Sequence, residues 1–106
     1  MSSVPGKTDW SETKDANENT QDLCNLMKGD VEKMTGKKYT QFKAVKYRTG
    51  PGPRGEITLI KVNVGEDYDH LSIFQGMPFL TDVPPPKLRG VLQHRSLDDS
   101  LVPFTN

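Results

Sequence analysis

The feature that most constrains this chain is a change in the spacing of its apolar residues. Between residues 23 and 34, apolar side chains recur at offsets 0, 3, 4, 8 and 11, which is the period of one helix face. From residue 42 onward the period falls to two, as in half-buried β-strands. We therefore predict a helix over about residues 16–35. Its apolar stripe consists of Leu23, Leu26, Met27, Val31 and Met34.

Residues with capping chemistry lie at both ends of this predicted helix. Asp15 precedes it, and Glu18 follows three residues later, at the spacing of a capping box. Gly36 comes after the last apolar position and can adopt the left-handed backbone that ends a helix. We therefore expect one helix that starts at a capping box and ends at Gly36.

Four strands are predicted after the helix, over residues 42–48, 56–64, 70–74 and, more weakly, 88–94. Residues 49–55 contain three glycines and two prolines, which favour a turn. A second turn is predicted at residues 65–67 and a longer loop at residues 78–86. Short connections imply an antiparallel meander, on which the helix must bury its apolar face. The predicted fold class is α+β.

The whole chain, residues 1–106, is expected to form a single domain. Its first 14 residues are a polar arm that we expect to be loosely ordered. Trp10 is the exception, because a large indole in a polar segment usually packs against the rest of the protein. The arm is therefore expected to be tethered near Trp10.

Charge and cysteine content exclude several classes of partner and cofactor. Lysine plus arginine and aspartate plus glutamate number 14 each, so the formal net charge is zero. Nucleic acids and anionic membranes are bound through a cationic excess, which this chain lacks. The single cysteine, Cys24, cannot form an internal disulfide or a multi-cysteine metal site. With no apolar leader or span in the sequence, we expect a cytoplasmic protein without a metal or other cofactor.

A glycine motif in the predicted first hairpin has the spacing of a dinucleotide-binding fingerprint. Gly50, Gly52 and Gly55 form Gly-x-Gly-x-x-Gly, with prolines at two of the intervening positions. That fingerprint needs a helix directly after it, whereas here a strong strand pattern follows. Nucleotide binding is therefore rejected.

Candidate catalytic residues are few. Cys24 borders the apolar stripe and has only His70 and His94 as possible bases, both distant along the chain, so a small buried thiol is favoured over a nucleophile. The two histidines have no zinc-ligand spacing, and Asp98-Asp99 is interpreted as a solvated pair. The protein is predicted not to be an enzyme.

Two surface patterns have alternative interpretations. Lys43, Lys46, Arg48 and Lys61 alternate with apolar residues, as on a platform for single-stranded nucleic acid, but zero net charge favours the polar face of a half-buried sheet. Residues 84–87, Pro-Pro-Pro-Lys, suit either a polyproline segment for an SH3-like groove or a stiff loop, and the stiff loop is favoured.

Short segments spread from about residue 11 to residue 104 share the residues, order and spacing of one family. They are Ser11-Glu12-Thr13-Lys14, Thr20-Gln21, Lys37-Lys38-Tyr39, Phe42-Lys43-Ala44-Val45, Ile60-Lys61-Val62, His70-Leu71, Phe74-Gln75 and Met77-Pro78. With the order of the elements, they make the chain resemble the cystatin superfamily and, within it, the stefins, its intracellular branch. The resemblance implies a cystatin-like fold, with one α-helix packed across a four- to five-stranded antiparallel β-sheet.

The same resemblance implies reversible, competitive inhibition of papain-like cysteine proteases such as cathepsins. Stefins block the active-site cleft with a wedge of three segments: the N-terminal arm, the first hairpin and the second hairpin. Preformed loops lose little entropy on docking, which favours affinity. Carried over to this chain, the protease-binding residues are Val4, Pro5, Gly6, Pro51, Gly52, Pro53, Arg54, Gly55, Met77, Pro78 and Phe79. We expect a monomer, although two copies could form a domain-swapped dimer by exchanging a hairpin.

The first hairpin departs from the family pattern, which reads Gln-Val-Val-Ala-Gly. Only its glycine is retained, as Gly55, and residues 51–54 hold Pro-Gly-Pro-Arg instead. Met77-Pro78 stands for the family's Leu-Pro, and Gly6 lies about two residues further from the helix than the family's arm glycine. The alternative function is therefore a cystatin-fold protein-interaction module that has lost protease inhibition.

Overall fold

The computed structural model of the chain describes residues 10–52, 55–76 and 85–104. Within them lie one helix and five strands. The helix is α1 (Glu18–Thr35), and the strands are β1 (Lys14–Asp15), β2 (Lys43–Gly52), β3 (Gly55–Asn63), β4 (Tyr68–Gly76) and β5 (Lys87–Arg95). The strands lie side by side in chain order, and each neighbouring pair is antiparallel. The predicted α+β fold, with one helix across an antiparallel meander, is confirmed.

The first hairpin is longer than the sequence predicts. Residues 49–55 were expected to form a turn, but β2 continues to Gly52 and β3 begins at Gly55. Pro51 pairs with Glu56, and Gly52 pairs with Gly55. Among the described residues, β1 pairs with β2 only at Lys46 and Tyr47, so Pro51 lies on an edge stretch where a missing N–H is tolerated. The predicted turn is therefore wrong for residues 49–52 and 55.

Helix α1 ends as predicted but begins differently. Its N-cap is Asn17, which exchanges hydrogen bonds with Thr20: the backbone N–H of each donates to the side-chain oxygen of the other. The predicted cap, Asp15, is instead part of β1 and forms an ion pair with Lys46. At the other end, Gly36 has a φ of 76° and donates its N–H to the carbonyl of Glu32 at 2.8 Å.

The buried face of α1 is rotated from the predicted stripe. Leu26 and Met34 were expected in the core, but they are 59% and 51% exposed. The buried positions are Thr20, Cys24, Met27 and Val31. Their offsets of 0, 4, 7 and 11 follow the helical period more closely than the predicted set does. Among the described residues, no helix is both long and apolar enough to cross a membrane.

Both faces of the sheet are covered. On one face α1 packs over Ile60 and Val62 of β3 and Leu71 and Ile73 of β4, which belong to the main core. On the other face a second cluster joins Ile57 and Leu59 to Leu101, with Trp10, Phe74 and Phe104 packed against it. Residues 96–104, called the tail below, therefore cover the face that α1 leaves free.

The prediction that Lys61 lies on a solvated polar face of the sheet is wrong. It lies on the tail side of β3 and is only 5% exposed. Its Nζ donates hydrogen bonds to the backbone carbonyls of Leu97 and Asp99. Burial lowers the pKa of Lys61, and the tail carbonyls stabilise its ammonium group. Lys61 therefore holds the tail on the sheet.

Candidate protein-binding edge

Three strands end together at one end of the sheet. Gly52 of β2 is in register with Gly55 of β3, and Gly55 is in register with Gly76 of β4. We call this end of the sheet the glycine edge. By chain connectivity, residues 53–54 of the first hairpin and the segment after Gly76 start here.

The N-terminal arm reaches the same edge. Antiparallel pairing of β1 with β2 means that residues before Lys14 run toward Gly52. Ser11 continues this direction, because its N–H donates to the carbonyl of Thr49 at 2.7 Å and its Oγ accepts from the N–H of Thr49 at 3.0 Å. Trp10 then packs against the second hydrophobic cluster. The predicted tether at Trp10 is confirmed.

Most of the predicted protease-binding residues lie outside the described residues. They are Val4, Pro5, Gly6, Pro53, Arg54, Met77, Pro78 and Phe79. The remaining three, Pro51, Gly52 and Gly55, all lie at the glycine edge. The structure therefore brings the described parts of the arm, of the first hairpin and of β4 to the same end of the sheet.

Gly55 is required by the packing of the sheet. A Cβ at this position would lie 2.2 Å from the backbone oxygen of Gln75 and 2.8 Å from Cζ of Phe74. Both distances are below 3.0 Å, which real Cβ contacts essentially never reach, and the nearer atom is backbone. The hairpin glycine therefore permits the close approach of β3 and β4 in addition to any role in binding.

The two sides of the glycine edge differ in polarity. On the tail side, Trp10, Ile57 and Phe104 line a cleft together with Pro51 and Arg89. On the helix side a second cleft has mostly polar lining residues. Its lining residues include Thr49, Thr58 and Gln75, and the hydroxyl of Thr58 lies 3.1 Å from Oε1 of Gln75. Aromatic rings on one side and hydroxyl and amide groups on the other suit binding to another protein, whose surface is itself a mixture of apolar and polar groups.

The four cations that suggested an alternative nucleic-acid platform are mostly engaged in internal contacts. Lys46 pairs with Asp15, and Lys61 is buried under the tail. The Nε of Arg48 donates to the carbonyl of Ser11, and its Nη1 donates to the carbonyl of Leu101. Three of the four cations therefore make contacts within the protein, and little positive charge on this surface is left to bind nucleic acid.

Cys24 and the buried histidine His70 lie on opposite faces of the sheet. Cys24 is fully buried beneath α1, and burial raises the pKa of its thiol to about 12. His70 neighbours the core residue Leu71 along β4 and therefore points to the tail side, where it pairs in register with Lys61. The interpretation of Cys24 as a small buried apolar residue is confirmed.

A buried polar pair stabilises the end of the sheet opposite the glycine edge. The hydroxyl of Tyr39 donates to Oδ2 of Asp69 at 2.7 Å. Burial is the main cause that raises the pKa of both groups, and it raises that of Tyr39 to about 12. This pair ties the segment after α1 to β4. Within the described ranges, no three potential metal-ligating side chains are grouped.

Comparison with curated proteins finds similar chains in several animals. The chain is 35% identical over 95 residues to leukocyte cysteine proteinase inhibitor 1 of Sus scrofa, with 89% of each chain covered. It is 33% identical over 102 residues to cystatin-A of Felis catus, with 95% of this chain and 99% of the relative covered. It is 36% identical over 75 residues to stefin-C of Bos taurus, with 70% and 73% covered. No family model matches the chain.

Proposed function

The chain belongs to the stefin branch of the cystatin family, and from this premise we propose that it is a reversible, competitive inhibitor of papain-like cysteine proteases such as cathepsins. The arm and the two hairpin loops enter the active-site cleft and block access to the catalytic thiolate. The residues assigned to this contact are Val4, Pro5, Gly6, residues 51–55, and Met77, Pro78 and Phe79. The family is one of inhibitors, and the protein is not an enzyme.

One observation carries the proposal: the described ends of all three segments meet at the glycine edge. Gly52, Gly55 and Gly76 are in register, and Trp10 lies beside Gly50, two residues before Gly52. A wedge that fills one cleft needs its parts at one end of the molecule, held by rigid elements. The β2–β3 and β3–β4 ladders supply that rigidity. A free, buried Cys24 suits the reducing cytoplasm that we propose as its location.

Purified protein is expected to slow a papain-like protease acting on a small fluorogenic substrate. Because the mode is competitive, the apparent inhibition constant should rise with substrate concentration, while the maximal rate stays unchanged. A panel of cathepsins would identify the preferred target. Absence of inhibition at about 10 µM protein, the affinity range of weak complexes, would contradict the proposal.

Restoring the family hairpin is expected to strengthen inhibition. Replacing residues 51–54 by Gln-Val-Val-Ala adds two valines, each contributing roughly 1.5–2 kcal/mol if fully buried on binding. The existing prolines already stiffen the loop, so the expected net gain is smaller, at least about tenfold in affinity. The inhibition constants of the two proteins measure it, with thermal unfolding to verify that a Cβ at position 52 is accommodated 3.0 Å from Ile57.

The matched control for this graft is Thr40→Val. Thr40 is exposed and lines a cleft with Gly65 and Glu66, at the end of the sheet opposite the glycine edge. Adding an apolar group there should leave the inhibition constant unchanged. Unchanged affinity of the graft itself would show that the first hairpin does not touch the protease.

The altered hairpin supports a second candidate, an interaction module on a cystatin fold without protease inhibition. Pro51 and Gly52 stand where the family has Gln and Val, and both are paired in the sheet. A pull-down that recovers one reproducible non-protease partner, together with failure of the inhibition assay, would favour this candidate.

A further inference from the structure

Arg48 contacts two separate segments, the arm and the tail, on the tail side of the sheet. Its Nε donates to the carbonyl of Ser11 at 3.0 Å, and its Nη1 donates to the carbonyl of Leu101 at 2.8 Å. Its guanidinium carbon lies 5.5 Å from the centre of the Trp10 ring, within the range of a cation–π interaction. One side chain of β2 therefore joins the arm to the tail.

Trp10 fits against β2 because residue 50 has no side chain. A Cβ at Gly50 would lie 2.1 Å from Cδ2 of Trp10, which is too close for the indole to keep its position. Gly50 is nevertheless buried, since the indole covers it. The two hydrogen bonds between Ser11 and Thr49 fix the next residue of the arm. The arm is thus held at two consecutive positions.

We propose that Arg48 is a positioning residue that fixes where the arm leaves the sheet, and that Leu101 of the tail is part of the same device. Arg48 lies on the side of the sheet that carries the tail, and it holds the arm through its contacts with Trp10 and Ser11. Its effect on inhibition rests on the proposed function, in which Val4, Pro5 and Gly6 contact the protease.

The effect follows from chain length and from ordering entropy. Gly6 lies four positions before Trp10, so an extended chain spans at most about 14 Å between them. Holding Trp10 near the glycine edge therefore limits how far Gly6 can lie from that edge. It also reduces the number of residues that must be ordered when a protease binds, which favours affinity.

An arginine serves this purpose better than a lysine. The guanidinium is planar, so it can donate to two carbonyls in its plane and present its face to the indole. A lysine ammonium is a single point of charge on a flexible stem. Arg48→Lys is therefore expected to retain the fold and to hold the arm less firmly.

The fluorescence of Trp10 tests the positioning directly, because Trp10 is the single tryptophan of the chain. In Arg48→Met and Arg48→Lys, emission should shift to the red and quenching by acrylamide should increase, more in the methionine variant. Lys46→Met is the control, since it removes a cation of the same strand that pairs with Asp15. Exposed ion pairs contribute little, so its spectrum should match the wild type. Unchanged Trp10 emission in both Arg48 variants, with the fold intact by circular dichroism, would overturn the proposal.

A double-mutant cycle separates positioning from direct contact or lost stability. Arg48→Met should weaken inhibition about tenfold, mainly through faster dissociation, because the arm must be ordered anew. In the background of Val4→Asp, which impairs the proposed contact of the arm, the same substitution should change affinity by less than about twofold. Full additivity would contradict a role through the arm. If the wild type inhibits no protease, the proposed function fails, and the fluorescence result alone decides whether Arg48 fixes the arm.

Discussion

Gly55→Ala is expected to destabilise the protein by about 2–3 kcal/mol, the range of a substitution that overpacks a well-packed site. The added Cβ would lie 2.2 Å from the backbone oxygen of Gln75, so the β3–β4 ladder must separate at the glycine edge. In a chain of this size, such a loss lowers the melting temperature by roughly 10 °C. Thermal and urea unfolding measure the effect. Because the separation occurs where both hairpins start, inhibition should also weaken at temperatures at which the variant is folded.

Gly29→Ala is the matched control for this substitution. Gly29 lies in α1, and a Cβ built there meets nothing within 4 Å. The same chemical change should therefore stabilise the protein by about 0.5–1 kcal/mol, since alanine forms helix better than glycine. Opposite signs for the two variants are the expected pattern. A Gly55→Ala protein as stable as the wild type would show that the sheet does not constrain this position.

Acidification from about pH 7 to pH 4 is expected to remove about 3 kcal/mol of stability through His70 alone. His70 is 2% exposed, and burial is the main cause that lowers its pKa from 6.5 to about 4. Lys61 of β3 and Arg95 of β5 lower this pKa further, and Asp99 of the tail opposes them.

Acid lowers the stability because the unfolded state takes up a proton on His70 at a higher pH than the folded state does. The unfolded chain protonates its histidine near pH 6.5, whereas folded His70 stays neutral down to about pH 4. The stabilisation is therefore complete above pH 6.5 and is lost as the pH falls toward 4. Asp69 acts in the opposite direction, because burial raises its pKa and protonation then favours the folded state.

Urea unfolding of the wild type and of His70→Gln across this pH range measures the contribution of His70 to the pH dependence of stability. The contribution of Asp69 cancels in the comparison, because both proteins retain it. The variant should lose about 3 kcal/mol less than the wild type between pH 7 and pH 4. His70→Phe, which also lacks a titrating group, should give the same flatter profile. Parallel profiles for all three proteins would show that His70 does not resist protonation in the fold.

The helix and the order of the strands could be predicted because each has a regular apolar period. The N-cap could not, because Asp15 and Asn17 are both good capping residues and the choice depends on the ion pair of Asp15 with Lys46 across β1 and β2. The wrong helix stripe has a similar origin: Leu26 and Met34 fit the period loosely, and only the position of the sheet selects Cys24 and Met27 as the buried side.

The sequence did not predict that the tail covers the second face of the sheet, because the tail contains no helix or strand. Leu101 and Phe104 lie after the last strand, in a segment without a regular apolar period. The adjacent pair Leu59-Ile60, apolar on both sides of β3, was the available signal. Arg48 was assigned to a solvated row of cations for the same reason. Its partners Trp10 and Leu101 are far from it in sequence, and only the fold brings them together.

Trp10 and Phe104, near the two ends of the chain, line the same cleft beside Pro51. A bulky label attached to the chain beside Trp10 or Phe104 would therefore crowd the surface that is proposed to enter a protease. Labels attached at Thr40 or Glu66, which share a cleft at the far end of the sheet, avoid this obstruction. Immobilising the protein through those positions would present the glycine edge to a protease in solution.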